Sequence, residues 1–156
     1  NKREIMKNRG RFIAAVQNDK KRTEQLEGIL NEVLLLEQQI AIIKGLNENN
    51  NPWGAWETAR EAQGKFNDDN ELLKLSVELS EKVSSFVRVI KRAEKLENEK
   101  HNGMSLTWYL KAKSIYPKST YAKSGMNRLL NTILPADVEN ISEENSSEEK
   151  PLKLNF

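Results

Sequence analysis

At 156 residues the chain is about one domain long, enough for a single core that removes roughly 70% of the unfolded surface from water. Apolar residues make up 37% and charged residues 31%. That apolar share is low beside the roughly 45–50% of ordinary globular chains, but its clustering excludes wholesale disorder and suits helices that stay partly wet. The absence of cysteine excludes disulfides, thiolate catalysis and Cys-based zinc sites, and no apolar run approaches the 18 or so residues that span a membrane.

The net charge of +2 conceals segregation. Residues 1–22 carry eight basic and two acidic side chains, and residues 23–81 are acidic overall. Residues 82–128 hold eleven basic and three acidic groups, and residues 135–150 six acidic groups and one lysine. Blocks of this kind pair within the molecule or with a partner. The chain opens Asn1-Lys2-Arg3 without an initiator methionine, the start expected of a processed or excised chain. Were an anchor to precede it, Lys2, Arg3, Lys7, Arg9 and Arg11 would lie beside an anionic membrane; membrane association is expected only through such a segment.

Over residues 2–46 the spacing predicts one long, coiled-coil-like helix. Leu26, Ile29, Val33, Leu36, Ile40 and Ile43 recur at alternating steps of three and four, a heptad seam whose register Asp19 and Arg22 interrupt. Leu30, Leu34, Leu35, Ile42 and Leu46 widen the stripe to suit more than one neighbour. Gly45 and the run Asn47 to Pro52 end it. A short helix follows from Pro52 or Trp53 to Gly64, with Asn51 as cap. Asp69 or Asn70 caps the next helix, which is expected to run unbroken from Glu71 to about residue 100; a break near Ser84-Ser85 is the alternative. Helices from Met104 to Ile115 and from Ser119 to Leu134 complete an all-α chain. The acidic tail, 135–156, reads as solvated, and its last segment, Pro151 to Phe156, has apolar residues at alternate positions that suit strand addition or a groove.

Residues 86–119 resemble a tetratricopeptide (TPR) repeat, a pair of antiparallel helices in roughly 34 residues. Ala93 takes the small position of the first helix and Leu96 the large one after it. Ser105 and Ala112 take small positions of the second helix, Tyr109 its aromatic position, and Pro117 the closing proline. Val89 stands where the family prefers an aromatic and Arg92 where it prefers leucine. Upstream, Ala55, Ala59, Ala62 and Asn67 fill second-helix positions. Ala62 and Ala112 lie 50 residues apart, as do Phe66 and Tyr116, Leu79 and Leu129, and Val83 and Ile133, so a helix-turn-helix unit is used twice. The resemblance covers residues 52–134 and implies TPR-like hairpins acting as a scaffold that binds peptides or partner domains; a generic helical bundle is the alternative.

Nothing in the sequence assembles a reaction centre. His101, the only histidine, is expected at a solvated helix end. Asp68-Asp69, Glu143-Glu144 and Glu148-Glu149 fall in turns or tail, where carboxylates stay solvated. No Gly-rich phosphate loop is present, and one histidine cannot form the paired Glu-x-x-His of metal bundles. The expectation is a non-enzyme without cofactor or metal. Partner binding falls to Trp53, Trp56 and Trp108, since tryptophan dominates binding hot spots, with Arg88, Arg92, Lys95 and Lys111. The wider basic set adds Lys91, Lys113, Lys118 and Lys123 and suits an acidic protein or peptide. Nucleic acid is disfavoured because no recognition motif accompanies these charges. Homo-oligomerisation through the N-terminal helix is the competing role.

Overall fold

The computed structural model describes residues 2–134, and among these every regular element is an α-helix. In chain order they are α1 (Lys2–Lys7), α2 (Arg9–Val16), α3 (Lys20–Glu48), α4 (Pro52–Lys65), α5 (Asn70–Lys82), α6 (Ser84–Asn98), α7 (Asn102–Ile115) and α8 (Thr120–Ile133). The chain groups into two compact units that divide between Val87 and Arg88, inside α6. The expected tail and its terminal segment lie outside the described residues.

The single helix expected over 2–46 is three helices. Asn8 leaves helical geometry, its side-chain amide donating to the Glu4 carbonyl at 3.0 Å. Asp19 is extended and caps α3, its Oδ1 accepting from the Arg22 amide at 3.1 Å. Asn and Asp offer the backbone local bonds that compete with the helix ladder, and Gln17-Asn18-Asp19 brings no apolar group to oppose them. Both α1 and α2 then contact α3. Leu26, Val33, Leu36, Ile40 and Ile43 of the seam are buried, which aims α3 at its neighbours as the spacing requires.

The expected unbroken helix also divides, at Val83 (φ −114°, ψ 35°). No Gly or Pro is involved. A β-branched residue of modest helix propensity precedes two serines whose hydroxyls compete for backbone bonds, and the bend buries Leu79, Val83, Phe86 and Val87 together with Trp56 in unit 1. Trp56 meets Phe86 edge-on at 5.7 Å between ring centroids, and its indole N–H donates to Ser80 Oγ at 3.0 Å. Burial and a satisfied donor together fix that ring.

The helix boundaries repeat at an offset of fifty. Helix α4 begins at Pro52 and α7 at Asn102; they end at Lys65 and Ile115. Helix α5 begins at Asn70 and α8 at Thr120. The preceding loops match too. Asn50 (φ 56°) and Lys100 (φ 63°) are both left-handed. Asn51 donates to Leu46 and His101 to Leu96, each at 2.9 Å, while Asn50 donates to Asn47 and Lys100 to Glu97. These paired bonds satisfy carbonyls that a helix end would otherwise strand. Side-chain caps follow from Asn51 to Gly54, Asp69 to Leu72 and Ser119 to Ala122. His101 takes the matching cap position of α7 without a side-chain bond.

Packing within each unit places small residues where helices meet. Ala55, Ala59 and Ala62 are buried in α4, and Ser105 and Ala112 in α7. Ser105 Oγ donates to the Ala93 carbonyl at 2.8 Å, so the small positions of α6 and α7 touch. The repeat exchanges volume at one pair of positions: Ala59 and Leu75 in the first unit stand where Tyr109 and Gly125 stand in the second. The Tyr109 ring lies so close to Gly125 that a β-carbon there would come within 2.3 Å of it. A Gly-to-Ala change inside a helix ordinarily gains about 1 kcal/mol, but this collision forces repacking that costs about 1–3 kcal/mol. Gly125→Ala is therefore expected to destabilise the chain in urea denaturation. Combining it with Tyr109→Ala should cost less than the sum of the two single changes, whereas additive costs would mean the ring and the glycine do not meet.

Candidate partner-binding site

The charged face of unit 2 follows from the periodicity of α6. Val89, Ile90, Ala93 and Leu96 are buried, and Arg88, Lys91, Arg92 and Lys95 are exposed between them at steps of three and four, so the four cations share one face. Arg88, Lys91 and Arg92 make no ion pair with any described residue. Lys95 approaches Glu99 at 3.7 Å, a loose pair on the surface. On α7, the Lys111 ammonium lies 4.9 Å from the centroid of the half-buried Trp108 ring, a cation–π contact that presents both at the surface. Lys118 and Lys123 are exposed, and Lys113 donates to the Pro117 carbonyl.

A structured polar cluster supports this unit. Tyr109, 1% exposed, donates its hydroxyl to Glu97 Oε2 at 2.7 Å. Arg128 grips the same carboxylate, Nε to Oε1 at 2.9 Å and Nη2 to Oε2 at 3.0 Å. The Arg128 hydrogen bonds, against an opposing effect of burial, hold Glu97 below the ordinary carboxylate range with help from Tyr109. Burial first, then Glu97, pushes the Tyr109 phenol well above its usual value. The Arg128–Glu97 pair takes one acid and one base of the unit together and leaves its excess of basic side chains unchanged.

The remaining expected residues belong to unit 1. Trp53 is half-buried in the first turn of α4. Trp56 is 4% exposed and part of the core already described, with the Arg60 guanidinium 5.5 Å from its ring centroid. The pattern alone did not separate the two rings because both fall near the face that Ala59 and Ala62 define. His101 is solvent-exposed between α6 and α7, 3.7 Å from Glu99.

The N-terminal basic cluster supplies an ion-pair network that sequence reasoning missed. Arg3 Nε donates to Asp69 Oδ2 at 2.7 Å and Nη2 to Oδ1 at 3.0 Å, while Nη1 donates to Glu71 Oε2 at 2.8 Å. Glu71 also accepts from Lys44 at 2.8 Å, and Lys2 pairs with Glu32. Burial would raise Asp69, but hydrogen bonds from Arg3 and the Leu72 amide outweigh it and hold the carboxyl below its ordinary value. Lys44, then Arg3, does the same for Glu71. The pairs bridge 66 and 68 residues of chain, a separation that no local pattern signals. A cavity of about 430 Å³ lies beside them, lined by Val33, Leu36 and Phe66 as well as by charges.

Among the described residues no three or more His, Asp or Glu side chains gather as a metal would require, and no helix is long and apolar enough to cross a membrane. No family model, curated protein or solved structure matches the chain.

The carboxylates carry a pH prediction. Asp69, Glu71 and Glu97 are held below their unfolded values near 4, so their contribution is complete above that pH and disappears as pH falls through the folded values. Acidification from about pH 5 to about pH 3 should lower the thermal midpoint followed by circular dichroism. Arg128→Gln should cost about 1 kcal/mol at neutral pH, since that guanidinium is largely in solvent, and should shrink the acid effect. An unchanged pH profile in that variant would contradict the assignment.

Proposed function

We propose that the chain is a non-catalytic, TPR-like adaptor whose second unit binds an acidic protein or peptide. The observation that carries this reading is the face of α6 on which Arg88, Arg92 and Lys95 stand exposed over a closely packed helix pair, with Trp108 and Lys111 presented by α7. Residues 88–134 contain ten basic and three acidic side chains, and the Arg128–Glu97 pair takes one of each, leaving nine bases against two acids. Support for TPR-like packing comes from the positions that carry the resemblance. Ala93, Leu96, Ser105, Tyr109 and Ala112 are all buried, and the small positions touch through the Ser105–Ala93 hydrogen bond. Arginine and tryptophan are the side chains that concentrate binding energy, and a one-signed face steers an oppositely charged partner to it.

Fluorescence anisotropy with a labelled glutamate-rich peptide tests the reading. Arg88→Glu, Arg92→Glu and Lys95→Glu combined should weaken binding at least tenfold, about 1.4 kcal/mol, with unchanged helix content. Affinity should also fall as salt rises. Unaltered affinity after charge reversal would contradict the proposal, and an oligonucleotide outcompeting the peptide would move the site to nucleic acid.

Self-assembly is the second reading. It is favoured by Leu34, Leu35 and Ile42, which are 49%, 43% and 50% exposed on α3 and spaced to meet an apolar partner helix. Light scattering distinguishes it: a strict monomer at high concentration removes this role.

A further inference from the structure

Helix α1 is tied to unit 1 by the ion pairs of Lys2 and Arg3, and neither α1 nor α2 contributes a fully buried side chain. Both helices contact α3 with Ile5, Met6 and Val16 half-buried, and Phe12 and Ile13 are 40% and 50% exposed. Yet Arg3 is seated in a fork made by Asp69 and Glu71, with three hydrogen bonds between 2.7 and 3.0 Å. Two aligned donors against one carboxylate match the planar guanidinium in a way an ammonium cannot. The cavity beside this fork is lined by Lys2 and Arg3 of α1 together with the apolar Val33, Leu36 and Phe66.

We propose that α1 and α2 form a displaceable strap over unit 1, and that the segment which displaces them is an arginine-bearing peptide from a basic partner. The strap has a hinge at Gln17-Asn18-Asp19, where the helix is already interrupted and Asp19 independently caps α3, so α3 keeps its start when the strap leaves. The receiving fork also survives opening. Asp69 Oδ1 caps α5 through the Leu72 amide at 2.9 Å, and Glu71 stays paired with Lys44 at 2.8 Å. An incoming arginine would meet both carboxylates already oriented, and an apolar residue beside it would take the place of the α1 wall against Val33, Leu36 and Phe66. Arg3 thus acts as an internal competitor at high effective concentration, and the partner must displace it. This site takes a basic ligand in unit 1 and does not rest on the basic face of unit 2.

The cysteine-free sequence makes the test direct. Lys7→Cys on α1 and Glu78→Cys on α5, both exposed positions outside the fork, carry spin labels whose separation is read by double electron–electron resonance. The expected result is one narrow distance at low salt that broadens and lengthens in Arg3→Gln. The capped tripeptide acetyl-Leu-Arg-Leu-amide should reproduce that shift in the unmodified fork, and its lysine counterpart should need at least fivefold more. Unchanged helix content by circular dichroism excludes unfolding as the cause. A distance unaltered by Arg3→Gln would overturn the strap. A distance altered by Arg3→Gln but insensitive to the arginine peptide would overturn the partner, as would equal potency of the lysine peptide.

Discussion

Close approach of helices at small side chains is the constraint on which the structure depends. Where Ser105 faces Ala93, the hydroxyl of one helix reaches the backbone carbonyl of the next, possible only because neither position carries bulk. Ala55, Ala59 and Ala62 occupy comparable positions on α4. With modest apolar content, a chain like this obtains a core by packing tightly over narrow stripes rather than by burying large ones. The exchange of Ala59 and Leu75 for Tyr109 and Gly125 shows the same constraint met twice with different residues: where one position is enlarged, its counterpart is reduced to hydrogen.

That economy leaves the rest of each helix to charge. Unit 1 uses its charges internally, joining Arg3 and Lys44 to Asp69 and Glu71. Unit 2 satisfies Glu97 with Arg128 and Tyr109 and leaves the cations of α6 facing water. Repetition of the backbone unit is therefore not repetition of its surface, and the two units differ most in the chemistry they offer to a partner.

Much of the helical architecture was legible because its signals are local. Asn51, Asp69 and Ser119 announce helix starts through side chains that accept from a backbone amide three residues on, and the heptad seam identified which face of α3 is buried. The fifty-residue offset was visible in Ala62 and Ala112 before it was seen in the helix ends. Three breaks fall where a continuous helix was expected, at Asn8, at Gln17-Asn18-Asp19 and at Val83, the last beside the Ser84-Ser85 alternative. No glycine or proline marks any of these interruptions, and side-chain competition for backbone bonds together with tertiary packing decides between bending and continuing. The candidate site was legible as a set of cations on α6, but not Trp56, whose fate depends on Phe86 and Ser80 thirty and twenty-four residues away. The Arg3 fork lay beyond any local signal.

Paired stability measurements on neighbouring positions of α6 test the dependence on small residues most directly. Ala93 is buried where α6 meets α7, and Arg92 beside it is exposed. Urea denaturation of Ala93→Leu should show a loss of about 2 kcal/mol or more from overpacking, while Arg92→Leu should stay within about 0.5 kcal/mol of the parent. Equal, small effects at both positions would contradict the account, because the helices would then not require a small side chain where they meet.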